Sequence, residues 1–327
     1  MQQQQYNDQN NKESNSAAAA AIVHAYADIP YDRSSFHLAG QSDCVAEVAI
    51  RLIQNALKEI ELSSNNNDTS DKLEARHPFV GLIDHVAVMP ITSKEFGTSA
   101  STTAAAATAA REIGSQIDQS NSIKIHYYGL ACPNNTPLAT VRRKTSFFNS
   151  GGAQQNSSGN NNSQEQTTQT YEKGECTIGA PQKFVENYNI RLTPNVDFST
   201  AKSLTQALRG RNIATKGMGV PGVEALTLPY NNVYEVACNL LEPKIGSVDQ
   251  IEDVLEKWIG KQRQQRLKDD EDTNDLYNRD YFIEKAYRVG TTAEQCLSVL
   301  ENTDEDGHWM QYDQQVLSRF NEFLGQG

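Results

Sequence analysis

Imidazole is the side chain whose unperturbed pKa suits proton transfer near neutral pH. One of the chain's six histidines stands on a stiffened stretch of backbone, Arg76-His77-Pro78-Phe79-Val80-Gly81-Leu82-Ile83-Asp84. Pro78 fixes its own φ and biases His77 towards an extended conformation. Gly81 then relieves the backbone before the apolar positions Leu82, Ile83, Val86, Val88 and Ile91, so His77–Ile91 reads as a turn leading into a buried strand. Such a layout holds a ring at a strand entrance with its orientation fixed. Taken alone, a histidine in this position is more often a packed or solvated residue. His85 and His126 add no HxxH spacing and no carboxylate pair, so no metal site is assigned. Cys132, after the Gly129 turn, has no basic neighbour in sequence and reads as a buried or loop thiol rather than a nucleophile.

Elements must hold these residues, and composition bounds how many there are. A chain of 327 residues predicts about two domains. Mean hydropathy is −0.61, but the polar excess is concentrated in three tracts: 1–16, 63–71 and 149–171. These are rich in Gln, Asn and Ser, bury little apolar surface, and are expected to be disordered. The reading is a tail over 1–20, a first region over 21–148, a polar linker over 149–175 and a second region over 176–327. A charged insertion over 262–281 interrupts the second region.

A net charge of −12 argues against a nucleic-acid or anionic-membrane surface. Five scattered cysteines without a CxxC pair fit reduced thiols. No stretch approaches the ~20 apolar residues of a membrane span, and the expectation is a soluble, cytoplasmic protein.

The first region reads as strand (Ala21–Tyr26), strand (Ser34–Gly40), helix (Cys44–Leu62, capped by Ser42 or Asp43), strand (His77–Ile91), alanine-rich helix (Ala104–Ile117), strand (Ile123–Gly129) and a short helix from Leu138. The second region reads as strand (Phe184–Leu192), helix (Ser199–Arg209), a hairpin (Val223–Leu228 with Val233–Leu240), helix (Ser247–Ile259), strand (Lys285–Val289) and a last helix capped by Thr291 or Thr292. Strand-helix-strand-strand-helix-strand is the split βαβ, ferredoxin-like order. Neither half carries a Gly-rich phosphate loop.

The motifs His77-Pro78, Gly81, Asp84, Pro90, Tyr127-Tyr128-Gly129, Arg142-Arg143, Tyr188-Asn189 and Val236-Ala237-Cys238-Asn239-Leu240-Leu241 together resemble the formiminotransferases. The similarity is to the plant-type members that carry the transferase part without a cyclodeaminase, and it runs from about Ala21 to Glu301. It implies an α+β protein of two ferredoxin-like subdomains packed side by side, with a folate site in the cleft between them. It further implies transfer of a formimino (or formyl) group between N-formimino-L-glutamate and tetrahydrofolate, the latter a co-substrate, with no metal and with His77 as the acid/base. Arg33 falls on the family's Asn-Arg pair and becomes the candidate for a folate or glutamate carboxylate. Asp84 becomes the candidate to orient the imidazolium or to brace the strand end, and Tyr128, Gly129 and Asn189 the candidates to line the folate site. A homodimer is a further expectation.

Three departures stand against this pattern. The family's initial strand and helix have no counterpart in 1–20, Phe79 occupies the place of an arginine, and Gly179-Ala180-Pro181-Gln182 lacks another. The alternatives are therefore a folate-binding protein with impaired catalysis, or a ferredoxin-like interaction module with an open sheet edge.

Overall fold

The computed structural model describes residues 20–60, 79–91, 99–119, 122–145, 173–213, 218–266 and 278–301. The three polar tracts expected to be disordered lie outside these residues, as do His77, Pro78 and 267–277 of the charged insertion.

The first two strands pair as an antiparallel ribbon, β1 (Ala20–Asp28) with β2 (Arg33–Gly40). The turn joining them is a 3₁₀ turn at Ile29–Tyr31, closed by Asp32 in the left-handed region at φ +48°. The helix that follows, α1 (Ser42–Glu59), turns Ala46, Ala49 and Ile53 inward. Its N-cap is Gln41 with no side-chain bond, so neither Ser42 nor Asp43 caps it; both already lie inside the helix.

The expected long strand after His77 is only β3, His85–Ala87. Glycine explains the shortening. Gly81 makes a single antiparallel bridge to Gly174, and a Cβ there would lie 2.3 Å from the Glu175 carbonyl oxygen, so the chain crosses at a contact only glycine permits. Asp84 then accepts from the Val80 N–H at 3.1 Å and turns the chain into β3.

The alanine-rich helix α2 (Ala100–Asp118) is capped by Ser99, whose hydroxyl accepts from the Thr102 N–H. After β4 (Lys124–Gly129) and the short helix α3 (Leu138–Arg142) comes β5 (Glu175–Ala180), the centre of a parallel sheet ordered β3-β5-β4. The sequence reading assigned Cys176 onward to the second region, yet this strand completes the first region's core. Cys176, Ile178 and Ala180 are fully buried, as a central parallel strand requires. Small side chains on α2 (Ala106, Ala107, Ala110) let it lie close against the sheet beside α1.

The second sheet is antiparallel and ordered β7-β8-β6-β9, from β6 (Glu186–Leu192), β7 (Val223–Tyr230), β8 (Val233–Leu240) and β9 (Ile283–Val289). Between them run α4 (Phe198–Leu208, capped by Asp197) and α5 (Val248–Arg266), in the strand–helix–hairpin–helix–strand order expected. The start of the supposed charged insertion, 262–266, is the last part of α5. One face of the sheet (Ile190, Leu192, Val236, Leu240) meets Leu204, Leu208, Ile251, Leu255 and Trp258 of the helices. Residues of opposite parity, Asn189, Arg191 and Glu235, therefore point away from the helices.

A short helix α6 (Arg279–Phe282) leads into β9, and α7 (Ala293–Glu301) closes the described chain. Cys296 and Val299 of α7 pack on Val23 and Ala39 of the ribbon. The ribbon thus forms no part of either sheet. It touches α1 on one side and the second region on the other, so the molecule is an α+β protein of separate sheets.

Candidate functional site

Where the ribbon meets the helix-free face of the second sheet, the two border an open cleft of about 360 Å³. His24, Tyr26 and Asp28 of the ribbon line one side, and Arg191, Tyr230, Lys285 and Tyr287 of the sheet line the other. Behind the lining residues Arg191 and Tyr287 lies Glu235, which is wholly shielded from solvent and bonded to both. Two groups donate to Glu235 Oε1: the Tyr31 hydroxyl at 3.0 Å and Asn189 Nδ2 at 2.7 Å. Arg191 donates to Oε2 through Nε at 3.2 Å and Nη2 at 3.0 Å, and the Tyr287 hydroxyl donates to the same oxygen at 2.7 Å. Strand register builds this arrangement, since Arg191 pairs with Glu235 across β6–β8 and Asn189 with Tyr287 across β6–β9.

The guanidinium of Arg191 lies over the Tyr230 ring, 3.4 Å from its centroid, and Tyr31 meets that ring edge-on at 4.9 Å. Burial works against the Arg191 charge, but Tyr287 and Glu235 outweigh it and hold the group above its ordinary pKa. Burial, reinforced by Glu235, pushes the Tyr31 and Tyr287 phenols far up, so both are neutral donors. The cleft is therefore an aromatic-walled slot on a fixed ionic floor, suited to a flat polar ligand.

A second polar group lies at the first sheet. Arg142 Nη2 donates to Asp84 Oδ2 at 2.7 Å and reaches Thr177 Oγ1 at 3.4 Å, while the Thr177 hydroxyl donates to the Asp84 carbonyl at 3.1 Å. Beside it, His85 Nε2 lies 2.9 Å from the Tyr128 hydroxyl. Burial raises the Tyr128 phenol well above its usual range. Gly129 follows at φ +57°, where a Cβ would come within 2.3 Å of the Ala180 carbonyl oxygen, so the close crossing of β4 and β5 demands glycine.

The residues singled out in the sequence thus fall into separate places. Asp84, Tyr128 and Gly129 belong to the first-sheet group, and Asn189 belongs to the buried Glu235 network behind the cleft rather than to its lining. Arg33 closes the ribbon opposite Asp28, and His77 is outside the described residues. Sequence reasoning missed Glu235, Arg191, Tyr31 and Tyr287. The available signal was parity: polar residues at alternate positions in two strands whose other positions are apolar. Among the described residues no group of three or more His, Cys, Asp or Glu side chains is placed to hold a metal ion.

Residues 2–181 match the formiminotransferase domain, N-terminal subdomain, and the chain belongs to that family, a class of folate-related transferases. A relative, the formiminotransferase cyclodeaminase-like protein of Arabidopsis thaliana, is 23% identical over 251 residues, covering 72% of this chain and 77% of the relative.

Proposed function

We propose that the protein transfers a formimino (or formyl) group between N-formimino-L-glutamate and tetrahydrofolate, with His77 as the acid/base. The observation that carries this reading is the family match over 2–181, the stretch in which His77 lies. Attack of a folate amine on the amidine carbon gives a tetrahedral intermediate with one nitrogen entering and one leaving. An imidazole between them takes the proton from the first and returns it to the second.

Asp84 is assigned a supporting role. Its two oxygens are taken by Arg142 and the Val80 N–H, so it anchors the segment that begins two residues after His77. The aromatic walls and the volume of the ribbon–sheet cleft suit the flat ring of a folate, and Asn189 acts through Glu235, which holds the lining residues Arg191 and Tyr287 in place. Arg33 is assigned to a carboxylate, and Tyr128 with Gly129 to the edge of the first sheet that the substrate approaches.

The test is steady-state transfer by the wild type from N-formimino-L-glutamate, and separately from N-formyl-L-glutamate, to tetrahydrofolate. Turnover with either donor supports the reading, and turnover with neither removes it. A second reading, binding without turnover, is favoured by Phe79, an uncharged side chain 48% exposed directly after His77-Pro78. Calorimetric binding of tetrahydrofolate by a protein with no turnover selects that reading, and absence of binding sinks both.

A further inference from the structure

The ribbon carries two histidines that the proposed reaction leaves unused. His24 of β1 and His37 of β2 are direct partners in the β1–β2 register, so both project to the same face. Their ring centroids are 5.8 Å apart, and the Tyr26 ring lies 5.5 Å from His24 and 6.2 Å from His37. Two imidazoles on one ion, with metal–nitrogen distances of about 2.0–2.1 Å, have ring centres about 5–6 Å apart. The observed spacing falls in that range.

Three features prepare His37 as a ligand. Its Nδ1 lies 3.1 Å from the Thr291 hydroxyl oxygen. The tautomer that donates to this hydroxyl leaves the lone pair on Nε2, and metal-binding imidazoles are held by such a second hydrogen bond. Burial, assisted by His24, lowers the His37 pKa to about 4, so the ring is neutral at pH 7 as a ligand must be. Gly290, at φ +79°, leaves open the ring edge that carries Nε2, where a Cβ would fall 2.2 Å from Cε1 and 2.8 Å from Nε2. Gly290 and His24 both line the ribbon–sheet cleft, which gives an ion its route to the pair.

The cations around the cleft are already engaged. Arg191 is bonded to Glu235, Arg288 to Glu186, and Lys285 stands over the Tyr287 ring at 4.5 Å. The net charge of −12 favours a cation. Imidazole nitrogens select borderline ions such as Zn²⁺ over Mg²⁺ and Ca²⁺, which take oxygen ligands. We propose that His24 and His37 together bind one divalent cation of the Zn²⁺ class at the cleft. The pair supplies two ligands and leaves the other positions of a tetrahedral ion to water. The bound ion ties the two strands of the ribbon together, and the site requires no turnover.

The test titrates the full-length protein calorimetrically with Zn²⁺ and, as the hard-cation control, with Mg²⁺. One equivalent of Zn²⁺ is expected at the histidine pair, and no Mg²⁺. His24→Gln and His37→Gln should each weaken that binding about tenfold or more, and Thr291→Val by about 10–100-fold. The double histidine variant should bind no more weakly than the weaker single one, because both rings serve one ion. Circular dichroism confirms folding; should His37→Gln fail to fold, His24→Gln and Thr291→Val carry the comparison. Absence of Zn²⁺ binding, or equal binding of Mg²⁺, overturns the site. So does a Zn²⁺ affinity unchanged in His24→Gln, which would assign the ion to other donors such as the free thiols.

Discussion

Glu235 accepts from four side chains in the interior, and its charge is tolerable only because Arg191 is held beside it. Removing one member strands the other. Glu235→Gln should therefore cost about 3–5 kcal/mol of stability in urea unfolding. Replacing both members by apolar residues (Glu235→Leu with Arg191→Met) should recover a large part of that loss. A single substitution within about 0.5 kcal/mol of wild type, the range of ordinary surface changes, would contradict the role given to the pair. His37 offers a second residue-level test. Burial, assisted by the neighbouring His24, lowers it from 6.5 to about 4. It is neutral in the folded state, so below pH ~6.5 the unfolded chain takes up the proton first. Its contribution is complete above that pH and is lost as pH falls towards about 4, amounting to about 3 kcal/mol at one unit per 1.36 kcal/mol. Unfolding free energies measured across that window should decline, and His37→Gln should flatten the decline; an identical slope in the variant would rule out this histidine as the source. Neither residue was legible as a site from type alone. Arg191 and Glu235 lie far apart in the chain, and only their strand register makes them neighbours.

The elements were easier to read than their partners. Apolar periodicity marks α1 and α5, and the strand–turn–strand pattern marks the ribbon and the β7–β8 hairpin. β5 was assigned to the wrong region because its composition suits either core; its place between β3 and β4 depends on pairing across a long stretch of chain. The supposed strand from His77 to Ile91 failed for a local reason, the Gly81 crossing and the Asp84 turn. The ribbon's independence from both sheets follows from α7, which covers it. That helix is held by a reciprocal cap, with the Thr292 hydroxyl accepting from the Gln295 N–H and the Gln295 side chain accepting from the Thr292 N–H. Thr292→Ala should cost about 1 kcal/mol. Hydrogen exchange should then quicken at the amides of β1 and β2 while those of β6 and β8 stay protected. Equal acceleration in both places would mean that α7 braces the whole molecule rather than the ribbon.

Across the whole molecule, both regions converge on the ribbon, which supplies Asp28 and Tyr31 to the face of the second sheet. All five cysteines are free thiols, three of them buried. With Ellman's reagent Cys132 should react first, since its bonds to Thr136 lower its pKa, and Cys44 more slowly, its thiol being raised by burial and the nearby Asp43. Cys176, Cys238 and Cys296 should react only on unfolding; rapid reaction of more than two thiols in the native protein would show that these cores open. The family could be recognised from its ordered motifs before any pairing was known, whereas the cleft could not, because it exists only where two distant segments meet. The most direct test of the account is kcat for transfer from N-formimino-L-glutamate to tetrahydrofolate in wild type and in His77→Ala. General acid–base catalysis by His77 requires a fall of about 10²–10⁴-fold in the variant, with folate binding retained. Equal kcat in the two proteins would contradict it.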